Sequence, residues 1–388
     1  MRASIKPYRN STMLNHLTIT TPYLLLDKVK FERNINRLYQ RIEGQRCQIR
    51  PHLKTLRTLQ SAPYLLKASS SPATVSTLAE AEAFVAAGFS NVLYAVGIAP
   101  AKLPRIAALR CSGKQVHVLL DSMAQAQAIS DYALQHQVTF SVFIEIDCDG
   151  HRGGIRPDDG TLAEIAGHLH QHGMVVEGVM THAGESYHCR TPQDIQRAAQ
   201  QECQAAITAA QHIRAAGIPC PVVSVGSTPT AHAATDLSGV TEVRAGVFST
   251  FDLFMHNLGV CTQDDIALSV VTTVIGHNHD KGWVFVDAGW MAMSRDRGTA
   301  SQDTDYGYGL VCDDAGCPLG LLLTTTNQEH GIIALPRDSA YSTGDFPLGT
   351  LLRILPNHAC ATAAMHTHYQ VIDTRNGEHE VWQRIVGW

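Results

Sequence analysis

The sequence predicts an α/β fold, a (β/α)8 barrel of the TIM type followed by an antiparallel β domain, on three observations. Across residues 27–263, short Val- and Ile-rich runs alternate with longer stretches in which Ala and Leu recur every three or four positions. That is the texture of parallel strands each returned by a helix. Asp121, Asp147, His182, Ser227 and Arg244 fall at or just past the C-terminal ends of the apolar runs, where the loops of a barrel build its site. An open doubly wound sheet would carry a glycine fingerprint after its first strand, and none is present. From residue 264 the helical period gives way to short apolar runs punctuated by Gly, Pro, Asp and Asn, the pattern of antiparallel strands.

Taken in order, residues 1–26 begin with Pro, Asn, Ser and Thr without periodicity and are expected to be an N-terminal arm associated with the β domain. The barrel strands are NVLYAVG, QVHVLLD, TFSVFIEID, MVVEGVMTH, VVSVGS and TEVRAG. Between them lie TLAEAEAFVAAG, AKLPRIAALRCSG, SMAQAQAISDYALQHQ and TPQDIQRAAQQECQAAITAAQHIRAAG, several closed by the glycine that ends helices. In residues 264–388 the strands are IALSVVTTVIGH, WVFVDAG, LGLLLTT, GIIAL, GTLLRILP, YQVID and VWQRIV.

Length and composition bound the function. A chain of 388 residues suggests two domains, or a large barrel plus an addition. A net charge of -5 with 17% charged residues offers no basic stripe for a phosphate backbone, so a small polar ligand is expected rather than nucleic acid. Ten cysteines without any C-x-x-C spacing point to free thiols in a reducing, cytoplasmic setting. No apolar run reaches the roughly 18–20 residues that span a bilayer, and no membrane partner is expected.

Several segments carry candidate chemistry. In IRPHLKT, Arg50, His52 and Lys54 would share one face of a strand. An amine becomes a nucleophile or Schiff-base former when burial or neighbouring cations lower its pKa, so Lys54 stands between a reactive amine and a basic surface loop. EIDCDGHRGG, residues 145–154, is a turn after a strand that aims Arg152 at a ligand or into solvent. Gly226, Ser227 and Thr228 in VSVGSTPTA, with Gly246 at the next strand end, offer the amide and hydroxyl donors of a phosphate cradle in late barrel loops. In ILPNHACAT, an extended segment would turn His358 and Cys360 to one side. Imidazole plus thiolate suits a borderline ion such as zinc, with coordination positions left open; a hydrogen-bonded core pair is the alternative. Gln328, Glu329 and His330 in NQEHG offer metal-supporting or substrate contacts, and Arg295 and Arg297 beside Trp290 either bind an acidic substrate or form a turn with two salt bridges. No G-x-S-x-G elbow, Walker loop or H-E-x-x-H helix is present.

The ordered set RPHLKT, VSTLAEAE, EIDCDGHRGG, THAGESY, VGSTPT, EVRAGVF, VDAG, QEHG and PNHACAT resembles the D-threonine aldolase and D-serine dehydratase family of pyridoxal-phosphate enzymes, over nearly the whole chain. The resemblance implies the alanine-racemase-type fold and a homodimer. It implies that Lys54 is the Schiff-base lysine, that Arg152 faces the phenolic oxygen of the cofactor, and that His182 lies beside the pyridine ring with Tyr187 nearby. Ser76, Gly226, Ser227, Thr228, Gly246 and Val247 match cofactor contacts. His358 and Cys360 match ligands of a divalent metal (Zn, Mn, Co or Ni), and the cysteine matches dehydratases where aldolases tend to carry Asp. The chain departs from its relatives at Phe248, where they read Tyr after RAGV, and at Leu56 and Arg57.

The implied activity is a lyase reaction. A β-hydroxy-D-amino acid would lose its hydroxyl and then its amine, converting D-threo-3-hydroxyaspartate to oxaloacetate and ammonia, or D-serine to pyruvate and ammonia. Retro-aldol cleavage to glycine and an aldehyde is the alternative within the same site. A noncatalytic carrier of pyridoxal phosphate is the alternative of another class.

Overall fold

A computed structural model describes residues 19–388; the part of the expected N-terminal arm up to residue 18 lies outside them. The described residues form two compact units, one made of residues 19–34 with Ser249–Arg384, the other of Ile35–Phe248 with Ile385–Trp388. The division falls at Phe248/Ser249 rather than at 263, because the helix Leu253–Asn257 is tied by its amides to Pro356 and Asn357 of the β unit. From the expected arm, Tyr23–Asp27 is a strand, β1, wholly buried in the sheet of that unit.

The second unit is the barrel. Its strands are β2 (Gln48–Ile49), β3 (Ala73–Val75), β4 (Asn91–Gly97), β5 (Gln115–Leu120), β6 (Ser141–Ile146), β7 (Val175–Thr181), β8 (Val222–Val225) and β9 (Glu242–Val243). All pair in parallel in the order β2-β9-β8-β7-β6-β5-β4-β3. A parallel bridge between His52 and Thr74 joins the two ends of that order. The buried positions of β5 and β6 are mostly Val, Ile, Leu and Phe on both faces, as a sheet covered on its outside requires.

Two strands, β2 and β3, were not foreseen, since at two and three residues they carry no readable period. Their register rests on charge instead. Arg50, just past β2, is buried at 1% exposure and makes a bidentate pair with Glu242 on β9, at 2.7 and 2.9 Å. Its remaining nitrogen donates to the Ala73 carbonyl and to Asn91, so every polar group of this buried pair is satisfied.

The β unit is a mainly antiparallel sheet in the order β13-β12-β16-β10-β1-β17-β18, where β10 is Leu268–Asn278, β12 Leu310–Cys312, β13 Pro318–Leu322, β16 Leu351–Leu355, β17 His368–Asp373 and β18 Glu378–Gln383. β11 (Trp283–Val286), β14 (Thr325–Thr326) and β15 (Gly331–Ala334) extend it from the far half of β10. β1 pairs antiparallel with β10 and parallel with β17. Among the described residues no helix is long and apolar enough to cross a membrane.

Candidate active site

The barrel gathers the expected cofactor residues at one end of its sheet. Asp121, Asp147, His182 and Arg244 directly follow β5, β6, β7 and β9, and Ser227 follows β8 by two residues. Lys54 sits after β2, but not on a strand. It lies in a 3-10 turn, Leu53–Thr55, whose first amide is capped by His52 Nδ1 at 3.4 Å. The expected common face of Arg50, His52 and Lys54 is therefore absent, because the chain turns away after His52. Nor does Arg50 act as a free cation toward Lys54, since it is paired with Glu242. Arg57 is similarly turned to the buried Glu80, 3.6 Å away. Lys54 itself is exposed at the mouth.

The turn carrying Lys54 is held by close backbone packing. The His52 amide donates to the Ala245 carbonyl at 2.8 Å, and a Cβ added to Gly246 would lie 3.3 Å from the His52 carbonyl oxygen and 3.4 Å from Thr55 Oγ1. Glycine at 246 lets the two loops touch. Val247 and Phe248 continue as a buried 3-10 turn.

His182 Nδ1 donates to the Gly226 carbonyl at 2.9 Å. That geometry assigns the ring proton to Nδ1 of a neutral imidazole. Burial, with further lowering by Arg152, Lys54 and Arg244, brings the His182 pKa down to about 3. The Tyr187 ring lies 5.9 Å from that of His182, centroid to centroid. His52 is also pushed well below the usual histidine range, by burial first and then by Lys54 and Arg244. Both imidazoles near the lysine are thus neutral at physiological pH. Arg152 reaches Glu145 on β6 at 3.3 Å while its side chain remains exposed. Burial raises the Glu145 pKa against the pull of Arg152.

The loop after β8 differs in part from the expected phosphate cradle. Gly226 has φ +146°, and a Cβ there would meet the Arg244 carbonyl oxygen at 1.9 Å, so only glycine permits the approach of the β8 and β9 ends. Its amide donates to Glu202 at 3.0 Å, and the Ser227 amide donates to Thr230 Oγ1 at 3.0 Å. Ser227 Oγ caps the Thr230 amide and lies 2.9 Å from Ser186 Oγ. These donors close the loop on itself, which leaves Thr228, the first residue of the helix Thr228–Ala233, where helix amides have no partner within the helix. The half-buried Ser76 hydroxyl donates to Glu80 at 3.0 Å and lies 3.4 Å from Arg57.

Glu202, on the long helix Pro192–Ala215, was missed by sequence reading. It is 1% exposed and accepts from the Ala183 amide at 2.8 Å, the Gly226 amide, and Thr230 Oγ1 at 2.7 Å. Burial raises its pKa while those donors lower it. One carboxylate thus fixes both the loop bearing His182 and the loop bearing Thr228. The signal was available, because Glu202 falls in the buried stripe Ile195, Ala199, Cys203, Ala206, Ala209, Ala210 and Ile213, where an acid needs a reason.

The β unit holds the second group. His358 is the N-cap of the short helix Ala359–Ala364, and Cys360 lies in its first turn, so the two residues do not share an extended segment. They converge nonetheless, because the imidazole makes a hydrogen bond to Cys360. His358 Nδ1 lies 2.6 Å from Asp296 Oδ2. Asp252, 1% exposed, accepts the Ala359 amide at 2.9 Å and fixes the start of the helix. Burial alone would lower the His358 pKa, but the hydrogen bonds to Asp296 and Cys360 overcome it and raise it to about 11. A carboxylate on Nδ1 leaves Nε2 for the Cys360 side, and such a carboxylate is the support metal-ligating histidines have. Nε2 and the thiol form a donor pair that fits a borderline divalent ion. Asp296 was in view between Arg295 and Arg297 but was passed over for the arginines.

The expected substrate contacts lie in the same unit. Arg295 stacks on Trp290 at 4.2 Å, and Arg297 pairs with Asp305 at 2.8 Å. The Trp290 and Met291 amides donate to the Asn327 and Gln328 carbonyls, and a Cβ on Gly289 would lie 2.3 Å from the Gln328 oxygen. The turn bearing Gln328, Glu329 and His330 is thereby pressed against the segment leading to Arg295, with all four side chains exposed.

The chain thus combines a barrel whose strand ends present a lysine, a neutral histidine and an arginine with a β unit holding a His and Cys donor pair. Residues 26–253 match the family "Alanine racemase, N-terminal domain" and residues 267–372 match "Putative serine dehydratase domain". D-threo-3-hydroxyaspartate dehydratase of Delftia sp. strain HT23 is 52% identical over 96% of this chain and 99% of its own. D-serine dehydratase of Dictyostelium discoideum is 30% identical over 95% of this chain and 96% of its own. A cysteine-to-alanine mutant of a D-threo-3-hydroxyaspartate dehydratase, solved in the metal-free form, superposes with TM-score 0.93 at 51% identity over 96% of this chain and 99% of that one. The chain belongs to this family, and it is a pyridoxal-phosphate-dependent lyase.

Proposed function

We propose that the protein is a pyridoxal-phosphate- and divalent-metal-dependent dehydratase of D-threo-3-hydroxyaspartate, forming oxaloacetate and ammonia, with D-serine as a poorer substrate. The observation that carries this reading is the His358 and Cys360 pair supported by Asp296, in a chain 52% identical to the Delftia dehydratase. When bound, pyridoxal phosphate supplies an electron sink at the α-carbon, and the divalent ion a Lewis acid for the departing hydroxide.

The chain's own residues do the rest. Lys54 Nζ would hold the cofactor covalently and would serve as the base for the α-proton. Neutral His52 and His182 leave it free of competing imidazolium charge. Arg152 would face the phenolic oxygen, His182 the ring with Tyr187 beside it, and Ser76, Thr228, Gly246 and Val247 the phosphate end, with Gly226 and Ser227 shaping that loop from within. His358 Nε2 and Cys360 Sγ would ligate the ion, for which zinc suits the nitrogen and sulfur donors. Arg295, Gln328 and His330 are polar and exposed, and they would receive the second carboxylate of hydroxyaspartate, which serine lacks.

Steady-state kinetics on D-threo-3-hydroxyaspartate, its isomers, D-serine and D-threonine test the proposal, with the protein before and after chelation. The expected result is the highest kcat/KM for D-threo-3-hydroxyaspartate, lost on chelation and restored by zinc. Full activity after complete metal removal would overturn the metal role.

A further inference from the structure

Outside the groups assigned above, one cluster in the barrel has metal-ligating chemistry. His151, in the loop after β6, and Glu185 and His188, in the 3-10 turn Gly184–His188 after β7, place donor atoms that all lie within 4.8 Å of one another. We propose that His151, Glu185 and His188 form a second divalent-metal site, selective for a borderline ion such as zinc, that ties these two barrel loops together.

The geometry is close to that of a bound ion. His151 Nδ1 is 2.8 Å from Glu185 Oε1, and His188 Nδ1 is 3.2 Å from Glu185 Oε2. A tetrahedral ion with nitrogen and oxygen bonds of about 2.0–2.1 Å holds its ligands roughly 3.3 Å apart, so these exposed side chains need only small adjustments to admit one. Two imidazoles and one carboxylate leave a fourth position for water. Imidazole nitrogen favours zinc, nickel or copper over calcium and magnesium, which take oxygen donors.

The backbone beneath the cluster is already in place. Asp149 accepts the Glu185 amide at 2.9 Å through one oxygen and the His151 amide at 3.2 Å through the other, fastening loop to loop. Asp147 Oδ1 accepts the amides of Asp149 and Gly150. The His151 ring lies directly on Gly184, where a Cβ would come within 2.1 Å of the ring carbon Cδ2. Asp149 is thus committed to backbone amides, and the three remaining donors face solvent together. The fastened backbone lowers the ordering cost of binding an ion, which would then hold the two loops more firmly. Arg152 follows His151, and Tyr187 lies between Glu185 and His188, so the ion would restrain the loops that carry both.

This site is independent of His358 and Cys360, and its test counts a difference. The cofactor-loaded full chain and its His151→Ala/His188→Ala variant are stripped with a chelator, then equilibrated with zinc chloride by dialysis, and bound zinc is counted by mass spectrometry. The wild type should hold one more zinc per chain than the variant, and the same difference should appear when both carry Cys360→Ala. Glu185→Gln should weaken that additional zinc at least tenfold, and zinc should slow hydrogen exchange of residues 147–155 and 182–190 in the wild type but not in the double variant. Equal zinc counts in the two proteins, or unchanged affinity in Glu185→Gln, would overturn the proposal. Both histidine side chains are exposed, and matching circular dichroism spectra establish that the variant is folded.

Discussion

The mouth of the barrel and the metal-donor group of the β unit solve the burial of charge in opposite ways. In the barrel, each buried ion is met by several fixed partners. Arg50 is shared among Glu242, Ala73 and Asn91, Arg244 donates to Ser224 and the Thr181 carbonyl, and Glu202 accepts from three donors. The imidazoles there are held neutral. In the β unit, His358 is drawn up to about 11 by one carboxylate and one thiol, and Arg295, Gln328 and His330 remain exposed. The buried charged groups of the barrel are met within the protein, whereas His358 and Cys360 of the β unit are the donor types that a divalent ion takes. Under the proposed function, the barrel residues would bear on α-carbon chemistry, common to a family of many reactions, and the donors of the β unit on which bond breaks next.

The largest break in this comparison is Lys54→Ala. It should lower kcat/KM by about 10³-fold or more, as loss of a covalent and proton-transferring group does, and abolish the visible absorption band of the bound cofactor. Cys360→Ala should cost about 10²-fold or more in kcat while leaving that band intact, since the Lewis acid is lost and the barrel residues are not. Asp296→Asn removes the charge behind His358 and should weaken metal affinity by roughly 10–100-fold, with activity recovered at excess metal. Glu202→Gln should destabilise the chain by about 1–3 kcal/mol, the penalty of leaving a buried donor unmet, read as a shifted urea midpoint with the metal count unchanged.

The smallest expected effect is on pH dependence. The folded His182 pKa, about 3, is depressed below the ordinary value of about 6.5, so the folded chain binds fewer protons than the unfolded one. The associated stability is fully present above about pH 6.5 and is lost as pH falls toward 3. Urea midpoints should therefore drop between pH 7 and 5, and His182→Asn should reduce that drop. An inflection in kcat/KM near pH 6.5 that vanished in His182→Asn would contradict the neutral assignment.

The barrel was legible where its elements were long. β4 to β7 and the helix Pro192–Ala215 show their periods plainly in sequence, and the polar residues at strand ends located the mouth. β2 and β3 were not legible because two or three residues carry no period, and their placement depends on Arg50 meeting Glu242, nearly two hundred positions away in sequence. Lys54 was read on a strand face for the same reason, whereas it lies in a turn fixed by Gly246. His358 and Cys360 were identified by residue type, but the geometry that joins them is a helix N-terminus set by Asp252 and Asp296 from distant segments. Long-range partners of this kind leave only indirect marks in a sequence, such as the acid at position 202 within an apolar helical stripe.

Phe248 stands where the resemblance expects Tyr, and it is buried at 1% exposure. A phenylalanine there carries no hydroxyl that burial would leave in need of a partner.

Product analysis on D-threo-3-hydroxyaspartate tests the central claim most directly. The cofactor- and metal-loaded protein should release ammonia and oxaloacetate in equal amounts, with no glycine. Glycine and glyoxylate in place of ammonia would show carbon–carbon cleavage and contradict the dehydratase assignment.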